Sequence, residues 1–384
     1  MVDSVLEAFE EANGHAPEFV IRAPGRINII GEHTDYNNGL VLAGAIDKAL
    51  YLAVGFNDTN KLRFWALDIN RKAVISIEKI RKTNHLWVDY LLGIADQFQS
   101  LGFNLRGIDV VFGGDLPIGA GVSSSAAMEC GMLMAWNEIA ETRLNRLQMA
   151  KLAQYSSQQF LGIPCGIMDQ FASLHGKKNK VILLDCNDLS FTYQSAEIKG
   201  CEWVLLNTKV SHELANSEYP LRVQECQAGL AKLQAHFPDV SNLRDATIEQ
   251  LDAIKNELVD KAYARCQYVI EEHGRTLKML EALAEGDAKK VGQLLEATHQ
   301  GLRDQYEVSC PEIDVLFTFA QNHPAVYGSR LMGGGFGGCT LNLVKTDQKI
   351  DFIQAALTHY HQQTGKEGTA FDVQLSDGVE VLDV

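Results

Sequence analysis

The stretch Pro117-Ile-Gly119-Ala120-Gly121-Val122-Ser123-Ser124-Ser125-Ala126 limits what this chain can fold into more than any other. Before it, Ile108-Asp-Val-Val-Phe-Gly113 alternates and is rich in β-branched residues, as a strand is. After it, Ala126 to Ala140 is rich in Ala, Met and Leu, lacks proline and has no glycine beyond Gly131, as expected of a helix. A strand therefore runs through a glycine turn into a helix. Gly119 and Gly121 permit positive φ and a close approach of a ligand to the backbone. The serines leave free N–H groups at the positive end of the helix dipole, where an anion is favoured. Two readings stand at this point, a nucleotide phosphate site and an ordinary helix capped by serine.

Length and charge narrow the rest. The 384 residues suffice for two domains, each with its own core. No apolar run approaches the roughly 18 residues of a membrane span, and the acidic, amphipathic N-terminus is no signal peptide. Eight cysteines are scattered without a C-x-x-C pair, which suits a reducing cytoplasm and neither a disulfide framework nor a zinc site. The net charge of −15 disfavours nucleic acid and anionic membranes as partners. It also repels ATP at long range, so a nucleotide needs local help from helix amides, an arginine and a metal ion.

Along the chain, residues 3–13 read as a helix. Phe19-Val-Ile-Arg-Ala reads as a strand broken by Pro24-Gly25, and Val41–Val54 and Leu62–Leu67 read as further strands. Between them, Arg26-Ile-Asn-Ile-Ile-Gly31-Glu32-His33-Thr-Asp35-Tyr-Asn-Asn-Gly39 concentrates a fixed cation, two carboxylates, an imidazole and amides. Turn chemistry accounts for Asp35 to Gly39. It does not account for Arg26 or Glu32-His33 behind an apolar Ile-Ile pair, and the stretch reads as a polyol-binding loop. A helix at 146–160 leads to Pro164-Cys-Gly166-Ile-Met-Asp169-Gln170, where Asp169 sits in apolar company. Such a carboxylate needs a charged partner, of which Arg26 is the natural one, or it caps a helix at 170–175.

Further on, Val181–Cys186 and Trp203–Asn207 read as strands. A polar loop at 211–222 containing Tyr219 opens a long helix, and helices follow at 221–236, 261–285 and 287–303. Between strands at 325–327 and 340–344 lies Arg330-Leu-Met-Gly333-Gly-Gly335-Phe-Gly337-Gly338-Cys339. It matches G-x-G-x-x-G trivially, and a strand rather than a helix follows it, which excludes a Rossmann site. No Walker-type loop is present. The glycines suit a tight loop packed on a ligand or on the first glycine turn.

The three motifs, Pro24-Gly-Arg-Ile-Asn-Ile-Ile-Gly-Glu-His-Thr-Asp-Tyr-Asn, Pro117-Ile-Gly-Ala-Gly-Val-Ser-Ser-Ser-Ala and Leu331-Met-Gly-Gly-Gly-Phe-Gly-Gly-Cys, resemble in this order the GHMP small-molecule kinases. Gly31-Glu-His-Thr-Asp-Tyr-Asn, Cys165-Gly-Ile-Met-Asp-Gln170 and Asn216-Ser-Glu-Tyr-Pro-Leu-Arg222 resemble the galactokinase branch, over residues 20–345. The resemblance implies an α+β fold of two domains, 1–195 and 196–384, with the active site in the cleft between them.

It further implies an ATP-dependent sugar 1-kinase using Mg²⁺; a monomer is expected, in the cytoplasm that the cysteines suggest. Glu32, His33, Asp35, Gly166, Asp169 and Tyr219 would hold the sugar. Asp169 would serve the reacting hydroxyl as base or orienting group, Arg26 would lie between it and the γ-phosphate, and Pro117 to Ala126 would wrap the phosphates. Galactose is the substrate implied, with a related sugar such as N-acetylgalactosamine, or a non-catalytic galactose sensor, as alternatives. In one place the chain departs from the family. Ser157 stands twelve residues before Asp169, where a metal-binding Glu is usual, which leaves Ser124, Ser125 and water for Mg²⁺ and implies weaker metal binding.

Overall fold

The computed structural model describes residues 1–211, 214–259 and 261–383, with side chains except at 211 and 214–217. The first helix, α1 (Val2–Asn13), seats Val5 and Phe9 on the outer face of a sheet. That sheet begins with β1 (Phe19–Ile30), β2 (Leu40–Phe56), β3 (Lys61–Ala66) and β4 (Arg71–Ser76). After α2 (Leu86–Ser100) come β5 (Ile108–Gly114), then α3 (Ser124–Ile139), α4 (Arg146–Tyr155) and α5 (Met168–His175). The two short strands β6 (Val181–Asp185) and β7 (Phe191–Gln194) complete this half. The strands run β12-β1-β2-β5-β3-β4, with β6 on the near half of β2 and β7 on β6, where β12 is Glu380–Leu382. The apolar sides of α2, α3 and α5 pack on one face of the sheet and form its core.

β1 does not break at Pro24-Gly25. It continues to Ile30, and its register to β2 shifts between Pro24 and Arg26. Proline has no N–H for the ladder, so the pairing slips there as a bulge. Gly25 is needed for packing, because a Cβ would lie 2.4 Å from Leu116 and 2.7 Å from Val122 O. Beyond the bulge, Arg26 N–H turns to the glycine turn and donates to Val122 O at 3.0 Å. Arg26 and Val122, 96 residues apart in sequence, are thus joined by main chain.

The second half opens with β8 (Cys201–Ser211) and α6 (Leu214–His236). The helix starts before the expected 221, with Pro220 inside it; residues 212 and 213 of the polar loop lie outside the described residues. Then follow α7 (Ile248–Ala253), α8 (Ala262–Glu285), α9 (Ala288–Gln300) and α10 (Pro311–Gln321). The chain closes with β9 (Val326–Met332), β10 (Gly337–Lys345), α11 (Lys349–Thr364) and β11 (Thr369–Asp372), followed by β12. A four-stranded antiparallel sheet, β11-β8-β10-β9, results. Leu205, Met332 and Leu341 of this sheet join the same core as β1 and β2, so the halves share buried surface. Not all of 196–384 stays with the second sheet, since β12 pairs antiparallel with β1.

Candidate active site

A cleft of about 560 Å³ opens between the halves, and Arg26, Glu32, His33, Asp35, Gly166, Asp169 and Tyr219 all line it. Its centre is Asp169. This residue lies in the first turn of α5 and is not its cap; the position before the helix is Ile167, without a side-chain cap bond. Asp169 Oδ1 accepts from Arg26 Nε at 2.7 Å, and Oδ2 accepts from Ser123 Oγ at 2.5 Å. Arg26 Nη1 donates to Gly121 O at 2.6 Å, so one guanidinium ties the carboxylate to the glycine turn. Burial weakens the Arg26 charge, but the carboxylates of Asp169, Glu32 and Asp35 outweigh it and raise its pKa. Arg26 is a fixed cation facing the cleft.

The glycine turn divides by depth. Ala120 and Val122 are buried in the core and offer only backbone, while Ser125 and Ala126 line the cleft. Gly119 and Gly121 line a small adjoining cavity of about 70 Å³ together with Met332 and Gly334–Gly338, so the first and last glycine loops face each other. Gly121 and Gly333 have φ of 74° and 87°, which L side chains rarely adopt. Pro117, Ser123 and Ser124 line neither cavity.

The 31–39 loop is held mainly from the second half. Glu32 is 2% exposed, and its Oε1 accepts from Arg330 Nη2 at 3.0 Å and from Gly333 N–H at 2.7 Å. Burial opposes its ionisation, yet Arg330, Arg26 and the Gly333 N–H prevail and lower its pKa. Glu32 therefore spends one oxygen on holding the loop, a task the sequence does not announce. Tyr268 OH donates to Glu32 O, and Glu272 on α8 accepts from Gly31 N–H.

His33 Nδ1 meets Tyr36 OH at 2.8 Å, and Tyr36 OH meets Tyr306 OH at 2.8 Å. With Tyr219, whose ring centroid is 5.5 Å from that of His33, these rings form an aromatic wall. Burial lowers the His33 pKa to about 4, so the imidazole is neutral near pH 7. Its Nε2 is buried against the Gly334 backbone without a well-formed hydrogen bond.

Asp35 presses on Gly166, where a Cβ would lie 1.9 Å from its Oδ2. Only glycine leaves this carboxyl its place. Burial, and then the charge of Asp169, raise the Asp35 pKa to about 7.

Ser157 lies in a π turn, Ser156–Phe160, that extends α4. Its hydroxyl donates to Glu129 Oε1, and Gln170 Nε2 donates to Oε2 at 3.1 Å. A carboxyl thus stands behind Ser157 after all, supplied by α3. Burial raises the Glu129 pKa to about 8, against the lowering effect of the Ser157 and Gln170 bonds. Its sequence signal was a lone acidic residue in the apolar run 126–137; that of Arg330 was a lone charge between Gly328 and Met332.

Comparison with known proteins decides the family. Residues 7–56 match the galactokinase galactose-binding signature, 89–177 the GHMP kinases N terminal domain and 279–362 the GHMP kinases C terminal domain. A galactokinase from Roseiflexus sp. (strain RS-1) is 38% identical over 97% of this chain and 95% of its own length. The chain belongs to the galactokinase family. A second member, from Thermotoga petrophila, is 37% identical over 94% of this chain and 99% of its own. The crystal structure of Lactococcus lactis galactokinase complexed with galactose superposes with a TM-score of 0.94 at 29% identity, covering 99% of both chains. Methanococcus jannaschii mevalonate kinase, at 17% identity and TM-score 0.66 over 93% of this chain and 98% of its own, shares the fold. As in other galactokinase-family chains, the architecture is the α+β GHMP kinase fold, and the activity is that of an ATP-dependent sugar kinase. No helix among the described residues is long and apolar enough to cross a membrane.

Proposed function

We propose that this chain transfers the γ-phosphoryl group of ATP to the C1 hydroxyl of D-galactose, giving α-D-galactose 1-phosphate and ADP. The observation that carries this reading is the Arg26–Asp169 pair, set at 2.7 Å between the sugar loop and the glycine turn. A sugar hydroxyl is a poor nucleophile. Asp169, the less buried member of the pair, accepts or orients its proton. Phosphoryl transfer through a loose transition state asks chiefly for alignment and charge stabilisation. Arg26 supplies a permanent charge there, and the first amides of α3 supply donors.

The sugar is held by groups that can each bridge neighbouring hydroxyls: the second oxygen of Glu32, His33, Asp35 and Asp169, with Gly166 and Tyr219 shaping the wall. The upward pKa shifts of Asp35 and Glu129 lessen the negative charge that incoming phosphates meet near neutrality.

The residues also fit Mg²⁺. Ser125, Ser157 and Gln170 line the cleft with neutral oxygens, and Gln170 Oε1 is buried without a hydrogen-bond partner among the described residues. Such a hard, neutral set suits a cation that takes most of its negative ligands from ATP. Bound there, Mg²⁺ would neutralise phosphate charge; Ser124 stands outside this group.

The test is ADP release with ATP, Mg²⁺ and a panel of sugars that includes N-acetylgalactosamine, beside Asp169→Ala. Galactose-dependent turnover lost in the variant is the expected result. Preference for another sugar corrects the substrate, and galactose binding without turnover points to a sensor.

A further inference from the structure

We infer that Ser123 is a positioning residue that couples nucleotide binding to the sugar site, by holding one oxygen of Asp169 until phosphates arrive. The inference rests on the kinase reading above. Ser123 occupies the cap position of α3, where a serine ordinarily takes extended backbone and bonds the helix's own first amides. Here it does neither. Its backbone is left-handed, with φ 59° and ψ 50°, and its side chain makes no cap hydrogen bond. The hydroxyl donates instead to Asp169 Oδ2. A left-handed conformation is unfavourable for a residue with a Cβ, so the surrounding structure holds it there.

Two acceptors therefore compete for one hydroxyl. In the structure Asp169 is engaged on both oxygens, Oδ1 by Arg26 and Oδ2 by Ser123. When phosphate oxygens fill the start of α3, they offer the Ser123 hydroxyl an anionic acceptor beside its own Cα. Rotation about χ1 carries the donor from one to the other, and Asp169 Oδ2 is released to the sugar hydroxyl. Because linkage is reciprocal, each substrate tightens the other. The release also limits the active form of Asp169 to complexes that hold a phosphoryl donor.

Titration calorimetry of galactose, with and without the β,γ-imido analogue of ATP and Mg²⁺, tests this on the intact protein. In the wild type the analogue lowers the galactose Kd by about fivefold or more. In Ser123→Gly, which also accepts the left-handed backbone, the Kd without nucleotide falls toward the coupled value and the analogue changes it by less than about twofold. Ser123→Ala gives the same loss of coupling should the glycine variant fold poorly by circular dichroism. Wild-type coupling that persists in the variants overturns the inference, as does its absence from a wild type that turns over galactose. A purely structural role would change stability and leave the ratio of the two Kd values alone. Failure of the wild type to phosphorylate any sugar would instead remove the kinase reading.

Discussion

Arg330→Met removes the cation that holds the sugar loop from the second half. Arg330 is fully buried; its Nε donates to Ile29 O at 2.9 Å, its Nη1 to Leu331 O at 2.7 Å, and its Nη2 to Glu32 and to Asn28 O. Methionine fills much of the volume but donates nothing. It strands a buried carboxylate, whose remaining direct partner is the Gly333 N–H. Breaking a buried pair from one side costs about 3–5 kcal/mol, and that is the expected loss in urea unfolding. Glu32→Gln keeps a neutral acceptor for Arg330 and Gly333 and should cost about 1.5–3 kcal/mol, as for a hydrogen bond to a charged group. In the double variant no charge is left unpaired, so the two losses should fall short of additivity by about 1–3 kcal/mol. The galactose Kd should rise in Arg330→Met through displacement of the 31–39 loop. An Arg330→Met protein within about 0.5 kcal/mol of wild type, or an additive cycle, would refute the reasoning.

Three further outcomes are expected. Glu129→Gln removes a carboxyl whose folded pKa is raised to about 8. Its contribution to stability is present below the ordinary carboxyl range and is lost as pH rises toward 8. Thermal melts should therefore show the variant gaining on wild type between pH 5 and 8, by a few kcal/mol at the upper end, and parallel curves would contradict this. Gly166→Ala puts a methyl 1.9 Å from Asp35 Oδ2, so the galactose KM should rise about tenfold or more while that for ATP holds; equal effects on both would oppose the assigned geometry. Ser157→Glu brings a second carboxyl group against Glu129 and should lower the melting temperature without reducing the Mg²⁺ needed for half-maximal rate; a lower requirement would show that the added carboxylate reaches the metal instead.

What was legible in the sequence were local features and groups out of keeping with their surroundings. The strand–turn–helix around Gly119 and Gly121 follows from periodicity, and α3 begins where the serines stand. Asp169 was conspicuous as a carboxylate among apolar residues, and Arg26 is indeed its partner. The other pairings across long separations were not legible. Glu32 reads only as a sugar ligand, because nothing near it in sequence reveals Arg330, 298 residues away, which takes up one of its oxygens. The partner of Ser157 was hidden in the same way, because only the packing of α4 against α3 brings Glu129 behind it. Proline misled as well: Pro24 marks a bulge inside β1 and Pro220 lies within α6, where local propensity suggested breaks.

In the mechanism proposed above, Asp169 and Arg26 direct phosphoryl transfer to the anomeric hydroxyl of galactose. The most direct measurement is ³¹P NMR of the product formed from ATP and galactose by the wild type and by Asp169→Asn. The expected product is a sugar phosphate coupled to the anomeric proton, formed about a hundred- to ten-thousand-fold more slowly by the variant. A phosphate on another carbon, release of inorganic phosphate alone, or an undiminished rate in Asp169→Asn would contradict it.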